Sequence, residues 1–347
     1  MKQLEYQVSF NTPAFLGNAE KQAQWRTPPF KALIRQWWRV VKAKEFGYDH
    51  CQLRKAEGLL FGNAWLEPLN GQAQHRKSDL HMRLVPWKDG AFSSQAWPGG
   101  PMESVTTTED GKGQVRADVY LGFGSVLLPK KENRPNVQLR GKAIEPDEQQ
   151  ARLQLFAAEI TKDLDETLQL VSWFGTLGSR SRNGWGSVRL HPVDDAPIVA
   201  DVPGVGDPLL KKVSRAWEDC LRLDWPHALG TSNGKPLIWL SQGYPDWRKA
   251  IGCLANIRVE VRRIAKNFLG PKNIGGIHAS QLRFKVVRTA QGLRVLAAHF
   301  PCMVPEVFLH ERVLDAAQKN WLLSNQAQVW MAIHQHLDRS NRVKPLD

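Results

Sequence analysis

A chain of 347 residues, 42% of them hydrophobic, has the length for two domains of ordinary size and the apolar content for packed cores, which argues against wholesale disorder. Its net charge of +13 and pI of about 9.7 point to a polyanionic partner, nucleic acid before an anionic membrane. No apolar run approaches the roughly 20 residues that span a bilayer. "MKQLEYQVSF" has no apolar signal-peptide core, and Cys51, Cys220, Cys253 and Cys302 stand too far apart for structural zinc. A cytoplasmic protein with free thiols, no metal, no cofactor and no membrane partner is expected.

In chain order, Leu4, Tyr6, Val8 and Phe10 alternate with polar neighbours, the period of a half-buried strand. "RTPPFKALIRQWWRVVKAK" predicts a helix from Pro28 to Lys44, with Thr27 as N-cap. Residues 86–114 read as a long polar insertion, mobile unless a partner holds it. "VYLGFGSVLL" (119–128) reads as a strand bent at its glycines, and "ARLQLFAAEI" (151–160) opens as another. A helix over 161–175 follows, then the loop in "LGSRSRNGWGSVRL" (177–190), then a strand. The Pro/Gly/Asp-rich segment 191–210 is the best domain boundary, dividing the chain into 1–198 and 206–347. Beyond it come a strand in "KPLIWLS", a helix within 246–268, a second glycine loop at 269–280, a hairpin around 290–292 and a last helix within 309–339. The order favours an α+β fold with antiparallel sheets.

Three stretches carry cations without any acid. From Lys21 to Lys44 there are seven basic residues, and Lys31, Arg35, Trp38, Arg39 and Lys42 share one helical face, with Phe30, Ile34, Trp37 and Val41 opposite. Guanidinium groups pair with phosphates and an adjacent aromatic can stack on a base, so this face is a candidate RNA contact. Because it points away from the apolar face, its replacement by alanine is expected to leave stability unchanged. The glycine loop holds Arg180, Arg182 and Asn183. Its glycines 178, 184 and 186 either admit a phosphate to the backbone or permit a crowded turn. It is neither a Walker A loop nor a dinucleotide fingerprint, because it leaves a helix and enters a strand. The third stretch, Val261 to Pro305, includes Arg283. Trp185, at a strand entry, is expected as a core anchor rather than a stacking platform.

"NTPAFLGNAEKQAQWRTPPFKALIRQWW", "LFGN" (60–63), "YLGFGS" (120–125) and "GTLGSRSRNGWGSV" (175–188) resemble the signatures of the RAMP superfamily of CRISPR-associated RNA-binding proteins. Within it they are most similar to the head subunits of type III-B effector complexes. The resemblance covers nearly all of 1–190 and, through "IHASQLRFKVVR" (277–288), part of the second half. It implies two ferredoxin-like, RRM-type domains, the first with long insertions. It also implies contact with guide RNA (crRNA) and target RNA near the guide 3′ end, and with a second head subunit and a backbone subunit. By position it points to Lys31, Arg35, Arg39, Arg180 and Arg182 as RNA contacts. Asn183 stands where an arginine is common. The family's head subunit is not regarded as the nuclease. An alternative is a RAMP endoribonuclease that processes guide precursor, with Asp79 between His75 and His81 as its nearest acid–base candidate and His278 as a phosphate donor. A polar surface loop is the plainer reading of 73–83.

Overall fold

The computed structural model describes residues 1–69, 72–97, 102–107, 113–128, 137–269, 281–304 and 316–346. Its frame is two four-stranded antiparallel sheets, each with a pair of helices. The first sheet is built from β1 (Lys2–Phe10), β2 (His81–Val85), β3 (Ala151–Ala157) and β4 (Val188–Val193), in the order β4-β1-β3-β2. Helix α1 (Thr27–Lys42) follows β1, α2 (His50–Phe61) packs on α1, and α4 (Lys162–Phe174) joins β3 to β4. Between β2 and β3 lies α3 (Ala117–Gly122). The second sheet uses β5 (Ile238–Ser241), β6 (Leu282–Thr289), β7 (Gly292–His299) and β8 (Val343–Pro345), in the order β6-β7-β5-β8. Helix α5 (Trp247–Leu269) follows β5, and α6 (Ala316–Arg339) precedes β8. Both halves therefore run β-α-β-β-α-β with the first strand between the third and fourth, which is the ferredoxin-like topology.

The alternation expected of β1 is present, with Leu4, Tyr6, Val8 and Phe10 in the core and Gln3 and Gln7 exposed. Proline at the first helical turn opens α1, but the N-cap is Arg26, not Thr27, and no side chain caps the helix. The "VYLGFGSVLL" expectation is corrected: 117–122 is helical, and only Val126–Leu127 is strand. An apolar run of that length carries no period that separates a buried strand from a buried helix. The expectation of a mobile insertion over 86–114 is corrected for its described residues, while 98–101 and 108–112 lie outside them. Phe92, Trp97 and Val105 are buried, and Ser104–Thr106 pairs with Gln114–Arg116. Trp97 donates to buried Asp118 at 3.0 Å, and Asp118 in turn holds Arg116 at 2.9 Å. The second glycine loop, with Lys272 and His278, falls outside the described residues, apart from its first residue, Leu269.

The halves are stacked in layers. Trp37 of α1 and Phe174 of α4 both contact Phe300 of the second half, at ring distances of 5.4 and 5.3 Å. Thus α1 and α4 sit between their own sheet and the far face of the second sheet, whose near face carries α5 and α6. Residues of β5 divide accordingly, Ile238 and Leu240 toward the first half and Trp239 toward the second core. A sheet covered on both faces needs an unbroken apolar strand, which explains "LIWL". Strand β6 is an edge, and the first half closes it. Asn11 Nδ2 donates to Val286 O at 2.9 Å, Ser187 Oγ accepts from Val286 N at 2.9 Å, and Asn183 bridges to Phe284.

Candidate nucleic-acid interface

Helix α1 is buried more broadly than a single apolar stripe. Phe30, Leu33, Ile34, Trp37, Trp38, Val40 and Val41 are all buried, because α4, α2 and the second sheet each cover part of it. Trp38, expected on the cationic face, is only 6% exposed and meets Phe61 of α2 edge-on at 5.9 Å. It is a core residue and has no free ring face for a base. Lys42, expected as a phosphate contact, is committed to protein carboxylates: it donates to Asp163 at 2.9 Å and pairs with Glu45. Those carboxylates outweigh its burial and raise its pKa. Asn183 is buried and donates through Nδ2 to Leu121 O at 2.8 Å, which ties the loop to α3.

The remaining cations converge. Arg35 and Arg39 of α1, Arg182 of the glycine loop and Arg283 of β6 line one cleft of about 750 Å³ between the halves. Gln36, His50, Trp225, His227 and Met303 complete its walls, and Asp224 is its one acid among the described residues. Asp224 is held by His50 Nδ1 at 2.9 Å. Arg35 and Arg39 both pair with Glu57 of α2, whose side chain is completely buried. One carboxylate thus anchors two guanidiniums, leaving a net positive charge and free N–H groups toward the cleft. Arg283 projects from the β6 face that α1 and α4 cover. Its guanidinium lies 5.3 Å from the Trp37 ring and 5.5 Å from Phe300, and Gln36, with its amide oxygen turned inward, accepts from it at 2.7 Å. Burial and then the nearby Arg182 push its pKa down to about 10, so it stays charged at neutral pH against repulsion that an anion would relieve.

Trp225 is the candidate contact that sequence reasoning missed. It is 51% exposed, stacks parallel to His227 at 6.4 Å and lies 6.0 Å from the Arg39 guanidinium. An exposed indole beside arginines is a platform for a base. Nothing in "LDWPHAL" marks it, because a lone tryptophan beside a proline has no period to read. His227 is buried and, pressed by that burial and by Arg39, has its pKa lowered to about 4. It is neutral at pH 7.

Two further basic clefts flank this one. On the far side of α1, Lys31, Arg35, Arg39, Arg54 and Arg76 line about 560 Å³. On the far side of the glycine loop, Arg180 joins Lys21, Arg26, Arg140 and Lys142 around about 700 Å³. The loop itself is a crowded turn. A Cβ on Gly178 would meet Phe15 O at 2.6 Å, one on Gly184 would meet Leu254 Cδ1 at 2.5 Å, and one on Gly186 would overlap Leu177 O. All three glycines have positive φ. Trp185 is wholly buried against Phe15, Trp97 and Trp247.

No family model matches the chain, and no curated protein sequence does. Among solved structures, the crystal structure of Cmr1 from Pyrococcus furiosus in its apo form is similar over 94% of this chain and 97% of that one, with 16% identity and a TM-score of 0.49. A chain of the type III-B Cmr-beta complex bound to cognate target RNA, determined by cryo-EM, is similar over 94% and 99%, with 11% identity and a TM-score of 0.41. A second state of that complex, with AMPPnP and single-stranded DNA present, gives 11% identity and 0.42. At these scores the likeness adds nothing to the topology already described.

The acid–base candidates do not assemble. Asp79 is exposed and paired with Arg76 at 2.9 Å, and His75 and His81 are exposed on separate strands. Asp49, His50 and Cys51 bring three ligand-type atoms close together at the surface. Asp49, however, caps α2 through Cys51 N and Gln52 N, and His50 is turned to Asp224. Among the described residues, no helix is long and apolar enough to cross a membrane.

Proposed function

We propose that this chain is an RNA-binding, non-catalytic subunit of a CRISPR ribonucleoprotein of the type III-B kind. In that role it contacts guide and target RNA near the guide 3′ end, beside a second head subunit and a backbone subunit. The observation that carries RNA binding is the meeting of Arg35, Arg39, Arg182 and Arg283 with exposed Trp225 in one cleft. Four guanidiniums suit a phosphodiester backbone and the indole suits an unpaired base. The assignment to the RAMP superfamily is supported by the quoted sequence motifs together with two ferredoxin-like sheets. Arg182 makes no ion pair with any described residue, so Arg182→Ala tests binding without disturbing packing. In a filter assay on single-stranded RNA the variant binds more weakly, and its log–log salt dependence is shallower by about 0.7. Unchanged binding at matched salt would remove the cleft from the RNA path.

One observation favours the endoribonuclease alternative: the His50–Asp224 pair at 2.9 Å inside a cationic cleft, where a carboxylate-oriented imidazole has the reach of a general base. Incubation with guide-precursor RNA in EDTA decides between the two. Cleavage that disappears in His50→Ala establishes the nuclease; intact RNA leaves the binding subunit.

A further inference from the structure

The cleft beyond the glycine loop has the makings of a second binding surface. Its cations come from four separated segments: Lys21, Arg26, Arg140 with Lys142, and Arg180. None of the five is ion-paired with a described residue, and no aspartate or glutamate lines the cleft among the described residues. Five like charges held together without a counter-charge repel one another, an arrangement that a bound polyanion stabilises. Two of them are fixed by backbone carbonyls: Arg26 Nη2 donates to Gly17 O at 2.6 Å and Arg180 Nε to Phe123 O at 2.7 Å. Arg26 Nε–H is buried without an acceptor. Gly124, at φ +96°, brings the backbone under Arg180 Nη2, which a Cβ there would meet at 3.6 Å. Phe123 stands 67% exposed at the rim.

Arg180 and Arg182 are two residues apart, at most about 7 Å of chain. Yet Arg180 faces this cleft and Arg182 faces the one between the halves. The glycine loop is therefore a ridge with a basic cleft on either side. We infer that a single RNA strand crosses this ridge: its backbone passes from the cleft between the halves, over Arg182 and Arg180, into the cleft of Lys21, Arg140 and Lys142, with one base against Phe123. This rests on the RNA-binding reading above and extends its footprint.

The test uses the full chain and oligouridylates of about 4 and about 16 nucleotides, the range of site sizes on single-strand-binding folds. Arg140→Ala with Lys142→Ala removes two exposed charges that make no ion pair with a described residue and do not line the cleft of Arg283. The longer RNA should bind this variant more weakly, with a salt slope shallower by about 1.4, while the shorter RNA binds as it does to the wild type. Phe123→Ala should weaken the longer RNA without changing its slope. If the longer RNA binds wild type and double variant alike, the ridge crossing is wrong. If the double variant loses only inorganic pyrophosphate, the cleft holds a small anion and the proposal is equally wrong. If the wild type binds neither RNA, the underlying function falls, a result distinguishable from the other two.

Discussion

At Glu57, charge and packing cannot be separated. A fully buried carboxylate survives because Arg35 and Arg39 both reach it. The expectation that alanines on the cationic face of α1 would leave stability untouched is therefore corrected for these two positions. Arg39→Ala leaves Glu57 with one partner and should cost about 1–2 kcal/mol. That is less than the roughly 3–5 typical of a broken buried pair, because Arg35 remains and the guanidinium is about a third exposed. Replacing both arginines should cost more, and Glu57→Gln in that background should restore part of it. Chemical denaturation of the three variants reads these differences directly. RNA affinity lost by Arg39→Ala must then be compared with Arg182→Ala, which has no such structural debt. The sequence showed that α1 was basic but not which cations were spoken for, since Glu57 lies one helix away and looks like an ordinary surface glutamate.

Among the elements, the glycine loop was legible in outline, while the role of its glycines stood open between a phosphate contact and a crowded turn. Its place between α4 and β4 follows from the periods on either side. Its glycines, however, serve the close approach of three backbone segments. Gly186 has φ +60°, and its would-be Cβ falls on Leu177 O, while the Leu177 N–H donates to Gly186 O at 2.9 Å. Gly186→Ala should therefore lower stability by about 2 kcal/mol or more, from left-handed backbone cost plus displacement of that carbonyl. A shifted denaturation midpoint with an unchanged slope is the expected reading. The strands β1, β3, β4, β5, β6 and β7 and the helices α1, α4, α5 and α6 were legible from their apolar patterns, whereas α2, β2 and the short β8 were not read and α3 reads as a strand. Phe92 and Trp97 were not, being isolated aromatics in a polar run whose core partners lie far along the chain.

Over the whole molecule, the contacts between halves are as specific as those within them. Lys285 makes the point. It lies wholly inside the stack and donates to Val171 O at 3.0 Å and to Ser172 O, at the C-terminal end of α4. Burial pushes its pKa from 10.5 down to about 7. Between those values the unfolded chain holds a proton that the folded chain has released, so this group makes stability rise with pH from about 7 to 10.5. Below pH 7 its full cost is present. The buried thiols of Cys220 and Cys302, raised by burial from 9 to about 12 and about 11, act in the opposite sense from about pH 9 upward, because the unfolded chain loses those protons first. The comparison is therefore between the wild type and Lys285→Met. Denaturant midpoints of the wild type should gain on those of the variant as pH rises from 7 to 10, and parallel curves would show that Lys285 does not change protonation on folding.

The closed edge of β6 also bears on how the chain is made. A strand edge with open N–H and C=O groups is a template for any other strand, including its own copy on a neighbouring molecule. Asn11, Asn183 and Ser187 cover that edge, and all three precede it by about a hundred residues or more. Synthesis runs from the N-terminus, so the first half has left the ribosome and can fold before β6 exists. The sticky element emerges beside a surface already shaped to receive it. Reversing the order of the halves, by circular permutation, would present β6 to the solvent first and turn a protected edge into a site of chain-to-chain pairing.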